Sequence, residues 1–114
     1  MAASSVQRNA GQTVALSVTQ TAHAAVLINS NTNDQINYTS FINTGASPIA
    51  VKWGLTDPGA PVFPTDGTNG DFVLPAVMTL PVIIATPTAP YYLTAKSNSA
   101  TAGILYVTPA ADQS

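Results

Sequence analysis

From residue 12 the chain alternates. Val14, Leu16 and Val18 fall on one face of an extended segment and Thr13, Ala15, Ser17 and Thr19 on the other, the period of two that marks a half-buried β-strand. Residues 23–29 are more continuously apolar towards Val26, Leu27 and Ile28, and the polar run 29–34 that follows is loop chemistry, so a strand closed by a hairpin loop is expected there. In residues 36–43 the alternation changes phase between Tyr38 and Phe41, which implies either a bulge or residues buried on both faces. The turn 43–48, with its Asn, Gly and Pro, separates that strand from residues 49–53. There Ile49, Val51 and Trp53 share one face and Ala50 and Lys52 the other, and the pair reads as the clearest hairpin of the chain.

Residues 54–71 break the pattern: Asp57-Pro58-Gly59, Pro61, Pro64, Asp66-Gly67 and Asn69-Gly70 follow one another with no sustained period, the signature of a long loop of the kind that often forms a contact surface. Four more short extended runs follow, at 72–74, 79–86, 91–97 and 103–108, each bounded by Pro, Asn, Ser or Gly. About eight strands at intervals of roughly ten residues, with no amphipathic crossover helix, predict an all-β fold: a single-domain antiparallel β-sandwich, jelly-roll-like. The expected organisation is a flexible amino-terminal arm at 1–11, a β-sandwich at 12–110 and a short tail at 111–114. The arm lacks the apolar core of a secretory signal. On the last strand, Leu105 and Val107 read as an exposed alternate face open to self-association as a trimer, dimer or monomer.

Composition removes several classes. Charged residues are 7% of the chain against roughly 25% in an average soluble domain, and Glu is absent. The surface must therefore be built from Thr, Ser, Asn, Gln and Ala, with little charge repulsion between copies packed side by side. Arg8, Lys52 and Lys96 are the whole basic complement, too few for the stripe that phosphate contacts need, so nucleic acid is not an expected partner. The longest apolar runs are far shorter than the roughly 20 residues of a spanning helix, so no membrane helix is expected. Absence of Cys excludes disulfides and thiolate metal sites.

No catalytic, metal or cofactor site emerges. The single His23 sits between alanines, and a Ser-His-Asp site would have to recruit Ser40 or Ser47 with Asp34, Asp57 or Asp66 without any nucleophile-elbow pattern. The five Asp lie in or beside loops or near the carboxyl end, where turn chemistry accounts for them. Residues 66–71 lack the alternating acids and bidentate Glu of a calcium loop. Trp53, Tyr91 and Tyr92 could form a sugar-stacking platform, although the face Trp53 shares with Ile49 and Val51 favours core packing.

Three stretches, FINTGASPIAVKWG at 41–54, DFVLPAVM at 71–78 and YYLTAKSNSATAGILYVTPA at 91–110, carry a resemblance in their order. Together they resemble small virion proteins of tailed bacteriophages, of the capsid decoration or cement type. The resemblance implies a sandwich or jelly roll on the outside of a capsid, a homo-oligomer with a trimer favoured, and the major capsid protein as partner. The long, Pro-rich 54–71 segment departs from that pattern. Such a protein stabilises an assembled shell by binding it in preference to its unassembled parts. Val6 and Arg8 in the arm, with Leu55, Val62 and Phe63 in the long loop, are the candidate contacts. A low-copy neck, tail or head-fibre component and a β-sandwich carbohydrate-binding module are the alternatives.

Overall fold

β-branched and aromatic residues, few charges and closely spaced turn residues leave this chain little but strands to form. The computed structural model describes residues 7–9, 11–29, 38–86 and 90–112. Its strands are β1 (Gln7–Asn9), β2 (Val14–Val18), β3 (Val26–Ile28), β4 (Tyr38–Asn43), β5 (Ile49–Gly54), β6 (Phe72–Leu74), β7 (Val82–Ala85), β8 (Tyr91–Ser97) and β9 (Gly103–Asp112). They make two antiparallel sheets packed face to face. In the first, sheet A, β2 and the short β1 share one flank of β9, followed by β4 and β7; in the second, sheet B, the order is β3-β8-β5-β6.

The pairing is nested: β2 lies beside β9, β3 beside β8, β4 beside β7 and β5 beside β6, while β4–β9 and β5–β8 contacts complete the sheets. A long hairpin rolled up in this way is a jelly roll, the sandwich the strand count predicts. Between β2 and β9, among the described strands, only the step from β5 to β6 stays within one sheet; every other step changes sheet.

Two local expectations are corrected by this. Residues 43–48 do not close a hairpin, because β4 belongs to sheet A and β5 to sheet B; the turn carries the chain across the sandwich, and the two apolar faces meet through the core instead of side by side. The polar run after β3 likewise links different sheets, although residues 30–37 lie outside those described. At 7–9, within the stretch read as an arm, the chain adds to β9, with Arg8 opposite Ala111. From Asn9 to Val14 the chain takes five steps against three on β9 between Ala110 and Val107, so two residues are accommodated between β1 and β2.

The phase change in β4 is neither a bulge nor burial on both faces. Its register with β9 runs unbroken from Tyr38–Ala110 to Asn43–Leu105, and the inward positions are Thr39, Phe41 and Asn43, all at 0% exposure. Two of the three are polar, so hydrophobicity alone misplaces the face. Leu105 and Val107 are likewise fully buried: they are core, and their neighbours Ile104 and Tyr106 take the outer face.

Apolar contact between the layers comes from Leu16, Val18, Phe41, Leu105 and Val107 of sheet A and from Ile28, Ile49, Val51, Leu74, Tyr91, Leu93 and Ala95 of sheet B. Each large side chain so buried contributes about 1.5–3 kcal/mol. Between the layers Phe41 stacks on Trp53 from the opposite sheet, ring centroids 6.0 Å apart and planes inclined by 21°. On one side of that pair Thr39 Oγ1 bonds to the hydroxyl of Tyr91, across the sandwich, and to Thr86 Oγ1 at 2.9 Å.

On the other side Asn43 ties two connections together. Its Nδ2 donates to the carbonyls of Ser47 at 2.9 Å and Pro75 at 3.0 Å, and its Oδ1 accepts from the Gly45 N–H at 2.9 Å. Its main chain exchanges with Met78, donating to Sδ and accepting from the Met78 N–H. The same turn needs glycine for a close approach, since a Cβ at Gly45 would stand 2.8 Å from the Cα of Gly103.

Asn43→Ala leaves two carbonyls and one N–H of this junction without their partner, and is expected to lower stability by about 2–4 kcal/mol with an unchanged denaturant slope in urea unfolding. A second expectation concerns pH. Burial pushes the Tyr91 hydroxyl above its ordinary value of 10.0, and the bonds to Thr39 and Thr86 pull the other way more weakly. Above that value the unfolded chain gives up this proton and the folded one keeps it. The associated stability is therefore complete below about pH 10 and falls as the pH rises, by at most about 1.4 kcal/mol per unit for one proton. Alkaline melts of Tyr91→Phe should show a shallower decline than those of the parent.

Candidate binding surfaces

The outer faces of the two sheets differ. On sheet B, alternation points Ala50 and Lys52 of β5 and Tyr92, Thr94 and Lys96 of β8 away from the core, yet Ala50 is 0% and Thr94 3% exposed. The loop at 55–71 folds back over them. Thr94 Oγ1 donates to the Gly59 carbonyl at 2.6 Å, and Pro61 is buried.

This loop carries its own order. Asp57 Oδ1 accepts from the Gly59 N–H, the Asx turn expected of Asp-Pro-Gly. Asp71 and Val62 bond twice: Asp71 Oδ2 accepts from the Val62 N–H and the Val62 carbonyl from the Asp71 N–H, each at 2.7 Å. The segment crosses itself so closely at Gly70 that a Cβ there would lie 2.3 Å from the Pro64 nitrogen. Leu55 and Val62 are exposed on it and Phe63 is half-buried.

Among the described residues no connection lies over ten outward positions of sheet A: Ala15 and Ser17 of β2, Ile104, Tyr106 and Thr108 of β9, Tyr38, Ser40 and Ile42 of β4, Ile83 and Ala85 of β7. None is an Asp, Glu, Lys, Arg or His, and each is half-buried or exposed. Five are Ile or Tyr. An uncharged, largely apolar sheet face of this extent is the kind of surface that marks an interaction site.

The connection from β6 to β7 adds to the exposed apolar surface. Val77 stands at φ 52°, a left-handed conformation that is costly for a β-branched residue, and its side chain is 66% exposed, as is 76% of Leu80 nearby. Two bonds fix this kink, from the Val77 N–H to the Gly45 carbonyl and from the Met78 N–H to the Asn43 carbonyl.

Of the sequence-derived contact candidates, Leu55, Val62 and Phe63 share the loop over sheet B. Arg8 belongs to β1 on sheet A, at the other layer, and Val6 lies outside the described residues. The uncharged outer face of sheet A was missed. Its signal was present in the Ile104-Tyr106-Thr108 alternation, but the core phase of that strand was read the wrong way round.

Of the aromatic platform, Tyr91 is buried at 1% exposure, Trp53 is half-buried on Phe41 and Tyr92 is exposed on the sheet B surface, so the three do not form one face. His23 is held locally, its Nδ1–H donating to the Ala24 carbonyl and its N–H to that of Ala95. Among the described residues no three His or Asp side chains gather where they could hold a metal ion. A cavity of about 210 Å³ between the 44–48 and 98–102 turns is lined by Ser47, Ile49, Ser97, Ser99 and Thr101. Two of its hydroxyls are engaged by the turn itself, Ser97 Oγ by the Ser99 N–H and Ser99 Oγ by the Thr101 N–H.

No protein-family model matches this chain, and neither a curated protein nor a solved structure matches it.

Replacing Val77 by Asn, which tolerates the left-handed region, should raise stability by about 0.5–1 kcal/mol. Thermal melts of the two proteins measure it. A loss instead would mean that the Val77 side chain contributes packing that outweighs its backbone strain.

Proposed function

We propose that this chain is a non-enzymatic structural protein of a bacteriophage particle, a decoration or cement protein that binds the outside of the assembled capsid and stabilises it. The observation that carries this reading is the outer face of sheet A, uncharged, rich in Ile and Tyr, and covered by no described connection. Such a face needs a partner that is neutral where it docks, and meets no like-charge repulsion from copies bound beside it. The resemblance of 41–54, 71–78 and 91–110 to decoration proteins names that partner as the major capsid protein, and the site as the virion surface. Homo-oligomerisation, as the trimer the resemblance favours, would bring several such faces to one capsid vertex or interface.

The mechanism needs no bond-making. A ligand that binds the assembled lattice and not free subunits shifts the equilibrium towards the lattice by mass action, by about 2.7 kcal/mol per site at a concentration one hundred times its dissociation constant. Multivalency strengthens this when one oligomer bridges neighbouring subunits. The loop at 55–71, on the opposite layer, then faces away from the shell.

Two measurements test the reading. Protein composition of purified particles should give this chain in simple proportion to the major capsid protein; a few copies per particle would assign it to a neck, tail or fibre, and absence would overturn the proposal. Tyr106→Lys and Ile83→Lys each place a charge on this face without entering the core, so sedimentation with shells should weaken at least about tenfold per substitution while the circular dichroism spectrum stays unchanged. Undiminished binding would move the docking site off sheet A.

A further inference from the structure

A groove of about 260 Å³ opens at the edge of sheet B, lined by Val51, Lys52, Trp53, Asp71 and Phe72. Its origin lies in the ladder. β8 accompanies β5 through Ile49–Gly54, but β6 pairs only with residues 49–51, so the flank of β5 is uncovered from Lys52 onward. Side chains from both faces of β5 reach such a notch, which is why the inward Trp53 and the outward Lys52 border the same space.

Backbone groups turn towards it too. The Ala95 carbonyl accepts from the His23 N–H and therefore points away from β5. Alternation along β8 and β5 then directs the N–H and C=O of Trp53 to the β6 side, where no β6 residue opposes them.

We infer that this groove binds one neutral pyranose ring of a glycan. The half-buried Trp53 and the 45% exposed Phe72 supply the flat apolar surface on which the C–H face of a sugar packs, with the buried Val51 closing the floor beneath them. Donors and acceptors stand together at the rim, as vicinal hydroxyls require: the Lys52 ammonium and the Trp53 N–H donate, while the Trp53 carbonyl and the Asp71 carboxylate accept. Asp71 is held in place by its bond to the Val62 N–H, and a carboxylate retains further acceptor sites after one such bond.

Opposite charges on the two rim side chains favour a neutral ligand over an anion or a cation. The volume lies below the roughly 300–1,000 Å³ of drug-sized sites and suits a single ring. An added peptide strand fits less well, because the notch offers the ladder groups of Trp53 alone before the chain turns away at Leu55. The groove belongs to sheet B, so its occupation does not compete with docking through sheet A, and it stands or falls independently of the capsid reading.

The test uses the chain's single tryptophan as the reporter. Trp53 emission is followed while the full-length protein is titrated with glucose, galactose, mannose and their disaccharides. At least one should give a saturable change with a dissociation constant on the order of 1–10 mM. Phe72→Ala, which removes a wall, and Asp71→Asn, which keeps an acceptor for the Val62 N–H but loses the charge, should each weaken it about tenfold; Lys96→Ala, outside the groove, should leave it unchanged. Should Phe72→Ala fail to fold, Asp71→Asn carries the comparison alone. No saturable response to any sugar up to about 100 mM, a response that survives in the folded groove variants, or a response confined to a capped extended peptide overturns the inference.

Discussion

The inward face of β4 holds the two layers in register. Its three buried positions each make a different link: Thr39 to Tyr91 across the sandwich, Phe41 to the ring of Trp53, and Asn43 to the turns at 44–48 and 75–78. Apolar packing between two flat sheets is tolerant of sliding, whereas a polar group buried in that space is costly unless its partner stands in one place. Two polar links flanking one aromatic stack therefore fix translation and rotation of sheet A over sheet B. The hydrophobic residues supply most of the stabilisation; Thr39 and Asn43 select which packing is used.

The same arrangement disposes of the outer faces. With β4 and β9 at the centre of one sheet and β5 and β8 at the centre of the other, the within-sheet connection from β5 to β6, 55–71, is free to lie back over sheet B. Ala50 and Thr94, small and able to bond upward, are the residues that accept that cover. Sheet A presents Ile and Tyr at the corresponding height, which no described connection covers. The asymmetry is thus a consequence of topology: a jelly roll has one long return available on this side, and this chain has spent its length there.

Strand positions were largely legible because alternation is a local property. Val14, Leu16 and Val18 fall inward as their spacing predicts, and β8 coincides with the extended run 91–97. Sheet membership was not legible in the same way, since an Asn-Thr-Gly turn can return a strand beside its predecessor or throw it across the core, and the choice is made by distant strands, here β9 and β7 for β4. The face of β4 was hidden for a chemical reason: Thr39 and Asn43 are polar residues that pay for burial only through partners at 86, 91, 47 and 75. In β9 both faces carry large apolar side chains, so the pattern could not separate the buried Leu105 and Val107 from Ile104 and Tyr106.

The candidate surfaces follow that division. Loop residues Leu55, Val62 and Phe63 could be singled out because a Pro- and Gly-rich stretch between strands announces itself. Sheet A's outer face could not, for it exists only once β2, β9, β4 and β7 are side by side and their outward residues are summed into one uncharged area. The notch beside Trp53 is harder still to foresee: it arises because β6 begins only at Phe72, opposite Val51, while β5 continues to Gly54. A strand that starts late leaves its neighbour's backbone groups unsatisfied at the edge, and burial of those groups by protein would have needed one or two more residues of β6. Asp71 instead bonds to the loop through Val62, which delays the start of the strand and places a carboxylate at the rim. The late start of β6 and the polarity of the groove therefore have the same physical origin, and a ligand that offers both donors and acceptors to Trp53 and Asp71 would complete the hydrogen bonding that the short strand leaves open.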